Sequence, residues 1–505
     1  MAVPAPRPGS ALWFLRHDLR LAWRDARAGF GALGARPLAG LIALVVAAMH
    51  AATWTIAAEV GALSGNPAGR GRAYDVALPF AGFVLMLLLA QTLNGATKLL
   101  YARGDLDLLL SSPVSVRLVL GARALAVALG AFASAAIFVL PLADAGAVLG
   151  HPRMLALYPA LAGGALLAAA LGIGLTLAMF RLIGPRRTRL AAQVLAAFVG
   201  AGFVIALQVR RLLPGAGLGG IVGRDGWARS ALLLPVRAAL GEADALALWL
   251  AIALLCFGAA ALLLGPAFAR SANAAAGAPG MAPRRSLRRR EGTGAFPRGP
   301  LSGLRLKERR LIARDPWVVS QVLLQILYMT PLVALLWSES RDPALAVSPM
   351  IVVVTFQVAS SLTWLGLSGE DAPDLLASAP VSAATLRRGK IEAVGSLTLG
   401  IVALPLLYLL WAAPAAAPVT VAVGALGLCA AVAVQSWHGR PGRRSAFAAR
   451  HRESKLMALV EMSLSMLFGV GAALGVLGSA WALAPLGLAG GLVLWLRPRT
   501  PLSHR

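Results

Sequence analysis

The chain has 505 residues, 58% of them hydrophobic, and a mean hydropathy of +0.75, a composition that excludes an ordinary soluble domain and places most of the chain in lipid. A formal charge of +26 points first to a nucleic-acid binder. The basic residues are gathered in loops between apolar runs, however, with no aromatic-interleaved platform, so no nucleic-acid partner is expected.

In the opening segment Leu12, Leu15, Leu19, Ala22, Trp23 and Ala26 share one helical face, while Arg16, Arg20, Arg24 and Arg27 crowd the other. This pattern predicts a helix lying in the plane of the membrane interface. The same arginines, with Arg36, leave no apolar core for a cleavable signal, and the first span is expected to act as its own anchor.

Twelve apolar runs follow, at 38–58, 76–97, 118–143, 155–180, 190–209, 244–268, 317–337, 346–366, 391–412, 417–437, 456–477 and 480–496. As helices, runs of about 20 residues cross a hydrocarbon core of roughly 30 Å. The alternation a membrane barrel requires is absent, and backbone groups in lipid must then be satisfied within helices. Abundant Ala, Gly and Leu permit close helix packing. With the N-terminus in the cytoplasm, the cytoplasmic loops and adjoining helix ends hold 38 of the 47 Lys and Arg residues; the outer loops hold nine basic and eight acidic ones. This is the positive-inside distribution, and the basic excess reads as topology and contact with anionic headgroups. Cys256 and Cys429 fall inside predicted spans, so they are read as packing residues, not as a disulfide or thiol metal site.

Between the second and third runs stands Asp107-Leu108-Leu109-Leu110-Ser111-Ser112-Pro113-Val114-Ser115. It returns 267 residues later, between the eighth and ninth runs, as Asp374-Leu375-Leu376-Ala377-Ser378-Ala379-Pro380-Val381-Ser382. Basic residues trail each copy: Arg117 and Arg123 in the first, Arg387, Arg388 and Lys390 in the second. Proline cannot continue a hydrogen-bonded helix, and a serine beside it can cap the next one. The expected geometry is a short surface helix over 104–110 or 371–377, a turn at Pro113 or Pro380, and re-entry into the membrane. The copies differ: Gly369-Glu370-Asp371-Ala372-Pro373 replaces Arg103-Gly104-Asp105-Leu106, adding a proline and negative charge. A plain interfacial connector would also fit one such segment, but recurrence of identity and spacing favours a functional device.

The stretch 269–303, with Ala-Pro-Gly-Met-Ala-Pro ahead of Arg284, Arg285, Arg288, Arg289 and Arg290, could bury no core and reads as a basic, flexible cytoplasmic linker. It divides a first six-span half, 1–268, from a second, 304–505. An even number of spans in each makes the repeat parallel. The second half opens with its own basic amphipathic segment, Leu304, Lys307, Arg309, Arg310, Leu311, Ile312 and Arg314. The outer segment 210–243 is expected to hold a short surface helix around Pro235–Leu240, without an assignable role.

In topology and motif the chain resembles a bacterial ABC exporter permease of the type-2 class, whose subunits have six spans, an N-terminal interfacial helix and a cytoplasmic helix between the second and third spans. That helix commonly carries a Leu-Leu-x-Ser-x-Pro pattern and couples the permease to an ATPase. The resemblance implies that Asp105, Asp107, Leu108, Leu109, Ser111, Ser112 and Pro113 dock an ATPase in one half, and Asp371, Asp374, Leu375, Leu376, Ser378 and Pro380 in the other. Fusion of both halves in one chain departs from the commoner single-permease subunit. The implied partners are cytoplasmic P-loop ATPase subunits acting as a dimer, with ATP and Mg bound there and no cofactor in this chain. The implied location is a bacterial cytoplasmic membrane, crossed repeatedly, with both termini cytoplasmic.

The residues themselves bear on this reading. The only lysines are Lys98, Lys307, Lys390 and Lys455, and none sits in the Gly-x-x-x-x-Gly-Lys-Ser/Thr pattern that cradles nucleotide phosphates. No His-Glu-x-x-His or Gly-x-Ser-x-Gly is present, so no catalysis on a substrate is expected. The alternative is a twelve-span secondary transporter, which needs an ionisable group within the membrane. Glu392 and Glu461 stand near span starts, where pairing with Lys390 and Lys455 is expected. His50, with no carboxylate near it in sequence, reads as a hydrogen-bonded packing residue. Gln91, Thr92, Asn94 and Thr97, like Ser360, Ser361 and Thr363, suit either interhelical hydrogen bonds or a substrate path. The substrate itself is not legible; a weakly polar cavity suits many hydrophobic compounds. The expectation is an all-α polytopic membrane protein of about twelve transmembrane helices in two parallel six-span pseudo-repeats.

Overall fold

A computed structural model describes residues 35–65, 70–101, 114–212, 227–276, 299–313, 340–368, 380–438 and 455–497, with isolated positions before 25, between 322 and 337, and at 378. The chain divides into two compact units, Met1–Pro283 and Arg284–Arg505. Secondary structure among the described residues is entirely helical.

In the first unit the helices are α1 (Ala35–Gly65), α2 (Arg70–Tyr101), α3 (Val116–Val148), α4 (Leu157–Leu212), α5 (Trp227–Ala239), α6 (Ala243–Leu263) and α7 (Gly265–Ala276). Helix α4 carries two of the expected runs, 155–180 and 190–209. They are separated at Gly184, whose φ of +75° and ψ of 167° break the helical path just before Pro185. Only glycine adopts that conformation without strain, and the following proline cannot donate to the preceding turn. The run expected at 244–268 also ends early: α6 stops at Leu263, and Gly265-Pro266 begins α7.

Helix α2 makes its broadest packing against α4, with α3 alongside both. Small residues allow the approach. A Cβ on Gly172 would stand 2.7 Å from Thr92 Oγ1, and that hydroxyl donates to Ala168 O at 2.9 Å. Gly164, Ala168 and Gly172, one turn apart, thus give α2 a smooth face. Val84, Leu88, Ala135, Val139, Leu161 and Ala165 fill the middle of this bundle, while Leu120, Ile173, Phe180 and Phe268 close the end nearest 102–113.

The second unit contains α8 (Pro300–Ala313), α9 (Pro343–Thr363), α10 (Ala383–Ala412), α11 (Ala417–His438), α12 (Lys455–Val476) and α13 (Leu483–Trp495). Helix α9 is its axis, buried almost without interruption from Ala346 to Leu365 and packed on α10, α11 and α12. Phe356 and Phe468 stack with centroids 6.0 Å apart in the core between α9 and α12. The α9 path continues through a π turn, Trp364–Ser368, toward the second copy of the repeated motif.

Eight helical segments among the described residues are long and apolar enough to cross a membrane. They are Phe80–Leu99, Val116–Val148, Pro152–Gly184, Ala243–Leu263, Pro343–Leu367, Ala383–Ala412, Pro414–His438 and Met457–Val476. Of the other four expected spans, 38–58 falls within α1 and 190–209 within α4. At 317–337 only isolated positions are described. The run at 480–496 is a three-residue 3-10 turn followed by the thirteen-residue α13, which at 1.5 Å per residue measures about 20 Å, short of a full crossing. Cys256 and Cys429 are free and exposed on the outer faces of α6 and α11, not packed as expected.

Candidate docking segments and intramembrane polar sites

Of the residues implied to dock an ATPase, Asp105, Asp107, Leu108, Leu109, Ser111, Ser112, Pro113, Asp371, Asp374, Leu375 and Leu376 lie outside the described residues, as do the expected surface helices. Ser378 and Pro380 are described: both are exposed, in a turn and a bend. What the structure presents is the exit of each copy into the next helix. Ser115 starts α3 with φ −64° and ψ 133°, and Ser382 starts α10 with φ −64° and ψ 146°. These are the last serines of the two motifs, two residues beyond each proline. In both, an extended residue ends the connector and the helix begins at once.

The two caps differ in chemistry. Ser382 Oγ accepts from Thr385 N at 3.2 Å and lies 2.9 Å from Thr385 Oγ1, whereas Ser115 makes no side-chain cap bond. Eight residues past each cap, a basic side chain is buried: Arg123 is 2% exposed and Lys390 7%. Burial at the same register extends the sequence repeat two turns into the following helix.

Helix α8 is fastened along the start of α10. A Cβ on Gly389 would stand 2.5 Å from Leu304 Cδ2, so the glycine admits that leucine, and Ile312 is fully buried below it. Arg309 Nε donates to Ser396 Oγ at 2.8 Å. Glu392 pairs with Arg305 across the two helices and accepts from Arg388 Nε at 2.9 Å one turn back. The expected partner Lys390 lies on another face of α10, because two residues along a helix do not face each other. In the first unit α7 packs against the start of α3, where a Cβ on Gly265 would lie 3.2 Å from Arg117 Cγ.

Glu461 has partners that the sequence did not point to. Its expected partner Lys455 has a side chain outside the described residues; Glu461 itself turns into the interface of α9, α11 and α12 and is 9% exposed. Gln435 Nε2 donates to Glu461 Oε1 at 2.6 Å, Ser360 Oγ donates to Oε2 at 2.8 Å, and Gln435 Nε2 also reaches Ser360 Oγ at 3.2 Å. One turn further along, Gln357 Nε2 donates to Ser465 Oγ at 3.0 Å. Toward the other end of α9, Ser348 and Thr420 hydroxyls meet at 2.7 Å. A line of side-chain hydrogen bonds therefore runs along α9. Buried polar groups require such partners, because unmet ones cost the full desolvation penalty.

His50 has a carboxylate after all. Its Nε2 lies 3.4 Å from Asp144 Oδ2, its Nδ1 is 2.8 Å from Val46 O, and Tyr158 OH donates to Asp144 Oδ1 at 2.6 Å. Asp144 is 94 residues away in the chain, so no local pattern announced it. Ser360 and Gln435, 75 residues apart, were equally hidden as a pair. Of the polar residues that suit either interhelical hydrogen bonds or a substrate path, Thr92 and Ser360 bond across helices, whereas Thr97 and Thr363 donate to carbonyls one turn back in their own helices, at 2.8 and 2.6 Å.

The segment 210–243 gains a defined part in α5. Arg237 Nε donates to Glu242 Oε2 at 2.7 Å and its NH2 to Asp244 Oδ2 at 3.0 Å, while Tyr74 OH reaches Glu242 from α2. The Glu242 hydrogen bond raises the Arg237 pKa further above an already high value, with burial opposing it, so the cation persists at every physiological pH. Gly241, at φ +84°, makes the turn from α5 to α6, and a Cβ there would strike Arg153 O at 2.6 Å.

These features define an all-helical, multi-pass membrane protein with hydrogen-bonded polar groups inside its helix packing. The chain matches no family model, no curated protein and no solved structure.

Proposed function

We propose that this chain is the permease subunit of an ATP-driven ABC exporter, a pseudo-dimer of two six-span halves in a bacterial cytoplasmic membrane. Its repeated motif segments would dock a separate cytoplasmic ATPase dimer. The observation that carries the reading is the motif itself, present twice at an offset of 267 residues, each copy leading into a helix that starts at its last serine. The buried basic residue at the same register in α3 and α10 supports it. ATP and Mg would bind the partner, since the chain has no phosphate-cradling Gly-Lys pattern. Closure of the ATPase dimer would draw the segments around Asp107 and Asp374 together, and rigid helices would carry that movement into the membrane.

Replacing both Leu108 and Leu109 with Asp tests this. The variant is expected to insert at normal abundance and to lose association with the P-loop ATPase. Undiminished co-purification of the ATPase would overturn the docking assignment.

One observation favours a second reading, a secondary transporter driven by an ion gradient. Glu461 is a carboxylate buried among spans and held by Ser360 and Gln435, and ionisable groups so placed mark ion or substrate paths. Transport by the purified chain in vesicles, driven by a pH or sodium gradient without ATP, would establish it over the first.

A further inference from the structure

A cavity of about 330 Å³ lies in the first unit, bounded by α1 to α6. It is lined by Ala77–Leu88 of α2, Phe138–Leu142 of α3 and Leu157–Gly164 of α4, at the end of the bundle away from 102–113. We propose that it is a binding site for one hydrocarbon chain of a bilayer phospholipid, independent of whether the protein is ATP-driven.

The lining decides the ligand class. Thr53 carries the only side-chain hydroxyl in it, and that hydroxyl already donates to Met49 O at 2.9 Å. The Trp249 indole N–H is spent on Ala160 O at 2.9 Å. A water molecule needs two to four polar partners, and apolar cavities stay dry and take hydrocarbon instead. The volume falls within the roughly 300–1,000 Å³ of ligand pockets and far exceeds a packing defect.

Exposure decides the route. Leu88, Val236 and Trp249 are buried at the closed end, whereas Ile56 is 50% exposed, Phe80 39% and Phe138 54%. The mouth therefore opens sideways between α1, α2 and α3, and α2 and α3 carry membrane-crossing segments, so the molecules that meet it are lipids. Helix α5 covers the cavity with Pro235, Val236 and Ala239 and is latched by the Arg237, Glu242, Asp244 and Tyr74 contacts. Arg237 is held by both Glu242 and Asp244 and is not free for a headgroup phosphate, which leaves the chain and not the headgroup as the recognised part.

The test uses the full chain in nanodiscs containing a phospholipid with a diazirine near one acyl terminus, with adducts mapped by peptide mass spectrometry. Native protein should be labelled at Leu88, Leu161 and Trp249. Gly164→Leu projects toward Leu88, whose Cδ1 lies 3.2 Å from a Cβ built there, and should cut that labelling about tenfold, as exclusion of two methylenes implies. Labelling at the exposed Leu255 and Leu404 should be unchanged. Ala81→Phe, nearer the mouth, gives the same readout if Gly164→Leu fails to fold. Absence of adducts at the deep positions, or their persistence in a folded variant of either kind, would overturn the proposal. Free fatty acid competing as well as unlabelled phospholipid would overturn the assignment to bilayer lipid.

Discussion

At the residue scale, Glu461 shows how a carboxyl group is accommodated between membrane helices. Removing it strands two donors, Gln435 Nε2 and Ser360 Oγ, and a stranded buried donor costs about 1–3 kcal/mol. Glu461→Ala is therefore expected to lower thermal stability in detergent by a loss of that order, and Glu461→Gln, which keeps an acceptor for Gln435, by less than half as much. Equal losses would mean that the Gln amide does not replace the lost acceptor, and no loss in the Ala variant would mean that the donors find other acceptors. The sequence showed Glu461 near the start of its run, with Lys455 six positions before it as the nearest opposite charge, and gave no sign of the partners that hold it. Neither Ser360 nor Gln435 belongs to a pattern that would connect it to Glu461, because both answer to the packing of three helices. The same holds for His50 and Asp144, which meet only because α1 lies along α3.

At the element scale, the runs of apolar residues were legible because length and composition alone set them, and the break in α4 had its signal in Gly184-Pro185. Gly265-Pro266 carried the same signal inside a run that stayed apolar beyond it, so α6 is shorter than the run. The last run failed differently: Ser479 caps a 3-10 turn, accepting from Trp481 N at 3.3 Å, and the turn leaves only thirteen residues for α13. The caps of the two motif-bearing helices give a differential prediction. Ser382→Ala should destabilise the start of α10 by about 1 kcal/mol, and Ser115→Ala should cost only a few tenths, since just one of them makes a side-chain cap bond. Hydrogen exchange of the first turn of each helix would read the difference. Gly389→Leu should push α8 off α10, because Leu304 already occupies that space. A cysteine pair at 305 and 392, expected to be bridged by a short thiol-reactive cross-linker in an otherwise native background because Arg305 and Glu392 pair there, should then cross-link poorly.

At the scale of the whole molecule, the chain is two compact units meeting at Pro283 and Arg284 in sequence, inside the basic stretch 269–303. Fragments 1–283 and 284–505, co-expressed, are each expected to reach the membrane, as fractionation would show; aggregation of either alone and together would mean that the covalent link is needed for insertion. The repeated nine-residue motif was legible because identity at fixed spacing needs no knowledge of packing. The apolar cavity and the clamp over it were not, since they arise from six helices contributing a few side chains each. The central claim, that one chain presents two docking segments to an ATPase dimer, is tested most directly by native mass measurement of the complex purified from membranes through a tag on this chain. Two P-loop ATPase subunits are expected on a single 52.0 kDa chain. A chain that carries no ATPase, or two chains sharing one ATPase dimer, would contradict it.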